Sequence, residues 1–568
     1  MEEIKEIIAN LISNAINLEV SQKEILDKIE VPKDKQNGDF SYPCFNLAKV
    51  LKNSPVNIAN DIKEKIILDT KIDRVEVVNG YLNFYLNSAD VASNVLNKII
   101  NESEKYGRSN IGIGKKILID YSSPNVAKPF HLGHFRNTVL GSAIYKLYAN
   151  LGYEVIGINH LGDWGIQFGL IIEGYKRFKD EYDLEKEPIK VLAQIYARMN
   201  KLSKEDESIK ECARKNFKKL EQGDEETVAL WKYFREISLV EYNRIYDILG
   251  SKFDSYNGEA FYNDKMDEVI EILDEKGVLV ESQGAKVVNV GDDIPPCIIL
   301  TSYGTTIYAA RDLAAILYRA RTYDFTKAIY LTSNEQILHF KQVFEVAKYI
   351  VDEKYQKGLV HIPYGMVRLK NGKMSTREGT VIYVNDLINE AVDKAKNIIL
   401  AKNPNLENID KVAKQIGIGA LIFNYLKTSK VKDIIFDLDE TLRFDGETGP
   451  YVQYTYVRAK SILDKANFDL KNLDSDFSIL STKQEMELIK ELDKLPNVIL
   501  KAANEYEPSM LSRYLIEVAT LFSRFYNECP VLVDDEKLKQ ARCSLVYSTS
   551  IVIKKGLSLL GIECPEKM

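Results

Sequence analysis

Long apolar runs are missing from this chain: no stretch approaches the roughly 20 residues needed to cross a bilayer, which argues against a membrane helix. A secretory leader is not expected either. The opening MEEIKEIIANLISNAI sets acids and asparagines among its apolar residues, with no basic region ahead of an unbroken apolar block. Both absences make the cytosol the expected location. Paired cysteines are absent. The six thiols (Cys44, Cys212, Cys297, Cys529, Cys543 and Cys564) are scattered without a C-x-x-C spacing, so they read as reduced structural thiols, not zinc or redox motifs. There is no basic excess, the net charge being −7, so the whole-chain total does not mark a nucleic-acid binder. The 76 lysines and arginines can still supply a local basic stripe for a phosphate backbone. Internal repeats and low-complexity tracts are also lacking.

What is there is a globular balance, 45% hydrophobic and 28% charged over 568 residues, long enough for three or four folded units. Residues 1–112 read as a first unit, with helical patterns at 1–16, 21–29 and 56–67 and two strand-like runs at 75–78 and 81–86. Asn79-Gly80 between these runs is a hairpin-turn signal. The polar stretch 101–114 is the first boundary. A strand at 116–121, a long loop at 122–134, a helical pattern at 135–151 and a strand at 153–158 then make a βαβ unit, which opens a parallel sheet. A charged helical stretch at 173–250 interrupts the alternation as an insertion. Strands at 298–300, 328–332 and 359–364 resume it, with helical patterns from Arg311 and Gln336 between them. From Val384 onward helical patterns dominate, with a break at 446–450. The expected architecture is α/β: a doubly wound, Rossmann-like parallel-sheet domain at 113–385, an α+β unit before it, a helical connecting segment at 386–449 and an all-α domain at 450–568.

The most informative segment runs from Asp120 to His134, DYSSPNVAKPFHLGH. It leaves the carboxyl end of the first strand and feeds a helix N-terminus, where open parallel sheets bind ligands. His131 and His134, with Gly133 between them allowing close approach, suit hydrogen bonding to the phosphates of a nucleotide. A metal site is the alternative, but no third ligand stands at an obvious spacing. A second segment, LKNGKMSTREG at 369–379, is a glycine-flanked basic loop. Lys373 can serve as a cation and Ser375 as a donor to a polyphosphate, and the alternative is a solvated charged loop.

Together these segments resemble the HIGH and KMSKS signatures of class I aminoacyl-tRNA synthetases, as His131-Leu-Gly-His134 and Lys373-Met-Ser-Thr-Arg377. SSPNVAKPFHLGHFRNTVLG, NHLGDWGIQFG, YAARDLAA, GKMSTREGTVI and GPYVQYTYVRAK, in that order, narrow the resemblance to the arginyl-tRNA synthetases. The run from Gly38 to Ser41 and the paired strands around Asn79 resemble that family's N-terminal domain, which touches the D-loop corner of tRNA.

The resemblance implies a ligase that activates L-arginine with Mg-ATP, as a substrate complex without a resident cofactor or protein-bound metal. Arginine then passes to the 3′ end of tRNA(Arg), at the 2′-hydroxyl for class I, and activation itself requires tRNA. By the same resemblance His131, Gly133, His134, Lys373, Met374 and Ser375 bind ATP. Ser123, Asn125, His160, Glu259, Tyr308, Asp312 and Gln336 bind arginine. Tyr308 and Asp312 stand four apart on one helical face, and Asp312 can accept a guanidinium fork. Asn79, Tyr81, Asn83, Tyr451, Arg458 and Met568 contact tRNA, while Tyr454 and Tyr456 read as core. The fourth position of the KMSKS signature, usually lysine, is Thr376 here. Lys128, just upstream of the histidines, matches a family lysine that compensates, so the catalytic set is His131, His134, Lys128 and Lys373. A monomer is the family habit.

Rival readings are weaker. Gly112-Ile-Gly-Lys115 precedes its strand and lacks the Walker spacing. IIFDLDETL at 434–442 looks like an aspartyl-phosphatase motif with Asp437 as nucleophile and Asp534-Asp535 as a later acidic pair, but that fold needs a parallel sheet after it. A catalytically silent tRNA-binding relative would not be expected to keep both histidines and the arginine contacts. A nucleotidylyltransferase would not need the long helical C-terminus.

Overall fold

A computed structural model describes residues 2–16, 20–183, 187–302, 308–369, 382–470 and 476–568. They fall into two units: 1–106 with 458–495 and 517–553, and 107–457 with 496–516 and 554–568.

In the first unit β1 (Phe40–Pro43), β2 (Ile72–Val78) and β3 (Tyr81–Leu86) form an antiparallel sheet in the order β1-β3-β2. Asn79 and Gly80 take φ of 50° and 82°, the two left-handed residues that a tight hairpin matching strand twist requires. The strand expected at 75–78 starts earlier, at Ile72, beyond an irregularity between Ile72 and Arg74. β1 is an addition, because four residues are too few to establish an alternation; it sets Ser41 opposite Asn83 on β3. Helix Pro55–Lys65, capped by Ser54 with proline in its first turn, packs on β2 and β3. Helix Ser88–Glu102 packs on helix Lys483–Leu492, Tyr106 Oη donates to the Leu492 carbonyl at 3.1 Å, and Lys490 pairs with Asp39. Arg542 meets the buried Glu485 carboxylate at 2.8 Å.

The second unit is built on a four-stranded parallel sheet of β4 (Lys116–Asp120), β5 (Glu154–Ile158), β9 (Lys327–Ser333) and β10 (Leu359–Tyr364) in the order β10-β9-β4-β5. Its inner strands are almost wholly apolar and buried, Ile117, Leu118 and Ile119 being no more than 2% exposed, as a sheet covered on both faces requires. From β4 the chain crosses to β5 through helix Leu132–Asn150; from β9 it crosses to β10 through helix Ile337–Ala347, in the opposite direction. Right-handed crossovers therefore put these helices on opposite faces, and the strand order reverses between β4 and β9. Open parallel sheets bind ligands at the carboxyl ends of the strands beside such a reversal.

The strand expected at 298–300 exists as β8 (Cys297–Leu300), but in another sheet. It pairs antiparallel with β7 (Ala285–Val288), which forms a hairpin with β6 (Leu279–Ser282). Alternation marks a strand but does not choose its partner. The helix expected from Phe135 begins at Leu132, because His131 caps it. Beyond residue 384, β12 (Ile434–Phe436) pairs in parallel with β11 (Val367–Leu369), and no strand follows among the described residues. Asp437 caps the short helix after β12 by accepting the Glu440 N–H at 3.1 Å, so the phosphatase motif is a strand end and a cap. Tyr456 is core at 3% exposure, whereas Tyr454, read as core, is 38% exposed. No described helix is long and apolar enough to cross a membrane.

Candidate active site

The loop after β4 holds three non-glycine residues in left-handed conformation, Ser122 (φ 67°), Ser123 (45°) and Ala127 (60°). Each costs about 1–3 kcal/mol and needs outside support. Asn137 Oδ1 accepts the Ser122 N–H at 2.8 Å, and Ser238 Oγ accepts the Ala127 N–H at 2.9 Å. Tyr242 Oη donates to the Asn125 and Lys128 carbonyls at 2.7 and 2.6 Å, and Tyr246 Oη lies 2.8 Å from Ser122 Oγ. Ser238, Tyr242 and Tyr246 all come from helix Glu225–Leu249, so part of the apparent insertion clamps the loop.

His131 and His134 cap the following helix reciprocally. His131 Nδ1 accepts the Gly133 N–H at 3.1 Å, and His134 Nδ1 accepts the His131 N–H at 3.3 Å. A nitrogen that accepts from a backbone N–H carries no proton, so the proton of each neutral ring sits on Nε2. Burial pushes His131 down to about 4, with the Lys128 ammonium adding to the effect, and holds His134 well below its ordinary range. The rings stack with centroids 3.7 Å apart. Two neutral Nε2 donors thus stand together at a helix N-terminus across the physiological pH range. A Cβ at Gly133 would lie 3.0 Å from His131 Cε1, so a side chain there would move the ring.

Asp120 at the end of β4 binds the buried Arg319 guanidinium at 2.8 Å and accepts from Ser123 Oγ at 2.9 Å. Ser123 Oγ accepts the His160 N–H at 3.1 Å, and the His160 ring stacks on Tyr262 at 5.4 Å. Arg319 Nη2 lies 3.1 Å from His160 Nδ1, and burial keeps His160 below its ordinary range. Asn125 is exposed, with Gly162 closely packed against its side chain.

Glu259 and Asp312 make the acidic part of the site. Glu259 is largely buried, its carboxyl group pushed up to about 7 by desolvation, and Arg311 Nη1 stands 3.8 Å from it. Asp312 is one turn into helix Tyr308–Tyr323 and meets His339 Nε2 at 2.6 Å through Oδ2. Desolvation raises Glu259 with Asp312 among the contributors, and Asp312 is also felt by His160 and Tyr330. A carboxyl group raised by burial, with a second carboxyl group as neighbour, forms a natural seat for a cation. Tyr308, at 64% exposure, and Gln336 lie on the open side.

Lys128 is half-buried, its ammonium 5.6 Å from the Tyr196 ring centre. Lys373, Met374 and Ser375 lie outside the described residues. In the first unit, Asn79 is exposed at the hairpin tip and Tyr81 is partly exposed, while Asn83 is 2% exposed and accepts from Ser41 Oγ at 2.7 Å. Tyr451 is partly buried in helix Gly449–Ala466, and Arg458 on the same helix lies 5.4 Å from the Tyr526 ring. Met568 packs on the apolar cluster of Ala395, Ile399 and Val412. Among the described residues no group of three or more His, Cys, Asp or Glu is placed to hold a metal.

Sequence reasoning missed Arg319, His339, Tyr242, Tyr246 and Arg136. The Arg136 guanidinium is 2% exposed and donates to the carbonyls of Gly365, Met366, Lys430 and Lys432 at 2.7, 3.1, 3.0 and 2.6 Å. An arginine two positions after His134, in the first turns of the helix that the histidines open, was the available signal.

The model of the tRNA synthetases class I (R) catalytic domain matches residues 95–438, that of the DALR anticodon binding domain 452–568, and that of the arginyl tRNA synthetase N terminal domain 2–86. The arginine--tRNA ligases of Clostridium botulinum and Clostridium perfringens are 50% and 48% identical, in each case over the whole of both chains. The solved arginyl-tRNA synthetase of Thermus thermophilus is 25% identical, with a TM-score of 0.82 over 99% of this chain and 100% of its own.

Proposed function

The chain belongs to the arginyl-tRNA synthetase family, activating arginine with ATP and charging tRNA with it, and from that premise we propose how its residues divide the work. The arginine carboxylate attacks the α-phosphate of Mg-ATP in line, and pyrophosphate leaves. Nε2–H of His131 and of His134 donates to the phosphoryl oxygens as charge grows on them, and being neutral these groups need no proton change during the step. Lys128 supplies the positive charge that Thr376 does not, while Lys373, Met374 and Ser375 bind the pyrophosphate end. Ser123, Asn125 and His160 hold the amino and carboxylate end of arginine. Glu259 and Asp312 take the guanidinium, with Tyr308 and Gln336 closing the open side.

The observation that carries this reading is the pair of neutral imidazole donors at the helix N-terminus that follows β4, where the strand order reverses. Asn79 and Tyr81 contact the tRNA corner, with Asn83 setting the strand beneath them. Tyr451, Arg458 and Met568 serve the anticodon arm, Arg458 by stacking on or fixing unpaired bases. Residues 1–112, 113–385, 386–449 and 450–568 divide tRNA contact, chemistry, connection and anticodon reading among them. The enzyme works as a cytoplasmic monomer, and tRNA must be bound before arginine is activated. Exchange of labelled pyrophosphate into ATP tests this: it should require both arginine and tRNA. Exchange with arginine alone removes the tRNA requirement, and exchange driven equally by lysine removes the assignment of the carboxylates.

A further inference from the structure

Asp312 is not held by its own helix. Its Oδ2 meets Nε2 of His339 at 2.6 Å, and His339 comes from helix Ile337–Ala347 on the far side of β9 in sequence. Both side chains are about a quarter exposed, so the contact is sheltered without being sealed. His339 also stands one helical turn after Gln336, so a single turn at the end of β9 presents both residues.

The His339 ring is fixed in turn. It packs edge-on against Phe340, with ring centres 5.3 Å apart. Phe340 stacks on His361 at 4.6 Å, and His361 Nε2 lies 2.8 Å from Thr332 Oγ1 on β9. A chain of contacts through Phe340 and His361 thus links the imidazole to β10 and β9, and the imidazole holds a carboxylate that otherwise hangs on a two-bond arm. A carboxylate has about four lone-pair directions. Engaging Oδ2 restrains the plane of the group and leaves Oδ1 as its second acceptor.

We propose that His339 is a specificity-determining positioning residue, which fixes Asp312 in the orientation that accepts the arginine guanidinium. The inference rests on Asp312 being a guanidinium contact, as assigned above. His339 itself touches no substrate. Its donated hydrogen bond presets the plane of the acceptor, so a planar forked donor meets aligned lone pairs and a flexible ammonium gains less from the alignment. The free rotation that would otherwise be lost on binding is removed in advance. Binding alone is affected, because the reacting carboxylate lies at the other end of the substrate.

The test compares His339→Phe, which keeps a ring against Phe340 but donates nothing, with His339→Gln, which retains a donor, and with Asp312→Asn. The full-length enzyme is assayed by pyrophosphate exchange with saturating tRNA. For His339→Phe the expected result is an arginine KM raised at least tenfold, kcat within threefold, ATP KM unchanged, and a preference for arginine over lysine reduced at least fivefold. His339→Gln should recover at least part of the arginine KM. An arginine KM within twofold of the parent in His339→Phe, while Asp312→Asn raises it, overturns the role of His339 alone. An unchanged KM in Asp312→Asn overturns the guanidinium contact beneath it. Equal losses toward arginine and ATP, or no difference between the Phe and Gln variants, mark a merely structural residue. Should the Phe variant not fold, His339→Leu, which also removes the donor, takes its place in the same comparison.

Discussion

Arg136→Met would remove four hydrogen bonds while keeping the length of the side chain. The parent guanidinium ties the helix that carries His131 and His134 to the main chain at Gly365, Met366, Lys430 and Lys432. Those segments lead directly into β11 and β12, and β11 ends at Leu369, four residues before Lys373. At about 1.5–3 kcal/mol per charged hydrogen bond, the simple sum is about 6–12 kcal/mol. That sum is too large, because burial works against the guanidinium charge and holds its pKa below the usual arginine range. Lys432 and Met366 are also exposed enough for water to replace the lost donor. Removing one side of a buried charged contact costs about 3–5 kcal/mol, and the lower end applies here. The first thermal transition should fall by roughly 3–5 °C in scanning calorimetry, read as that transition alone since a two-unit chain need not unfold in one step. Pyrophosphate exchange should fall at least tenfold at temperatures where the variant is folded, through a higher ATP KM. A variant that melts within 2 °C of the parent and exchanges within twofold would refute the view that this contact aligns the two signature segments.

Other consequences follow from the same geometry. Because the Glu259 carboxyl is raised to about 7, it is ionised at pH 8 and mostly protonated at pH 6; the arginine KM should rise about tenfold between them, and a flat profile contradicts the assignment. At His131 the folded state lies near 4 against an ordinary 6.5, so the associated stability is present above pH 6.5 and is lost as pH falls toward 4. That amounts to about 3 kcal/mol, and a His131→Gln variant, which keeps an acceptor for the cap, should show a correspondingly shallower acid limb in its melting temperature. Gly133→Ala should lower kcat about tenfold with a melting change of less than 3 °C, since the added methyl meets the His131 ring and not the backbone. Lys128→Ala should reduce adenylate formation by at least tenfold; an intact rate would remove its compensating role.

Much of the site was legible because it is local. Asp120 to His134 carries its loop, its cap and its helix start in fifteen consecutive letters, and Asn79-Gly80 announces its turn by composition alone. What could not be read are pairings across the chain. Asp312 with His339, Asp120 with Arg319, and the loop carbonyls with Tyr242 join residues far apart in sequence, at least one of each pair in a helix of ordinary pattern, and only the packed fold brings them together. For the same reason β8 was legible as a strand but not as a member of a separate antiparallel sheet. Tyr454 shows the limit of periodicity: it shares a tyrosine-rich run with buried Tyr456, two positions away and on another side of the helix.

The most direct measurement is single-turnover formation of arginyl-adenylate, with tRNA bound, by the parent enzyme and by Asp312→Ala. If the Glu259 and Asp312 carboxyl groups select arginine for the two neutral imidazole donors to activate, kcat/KM for arginine should fall by a factor of a hundred or more in the variant. A loss of less than threefold would contradict that claim.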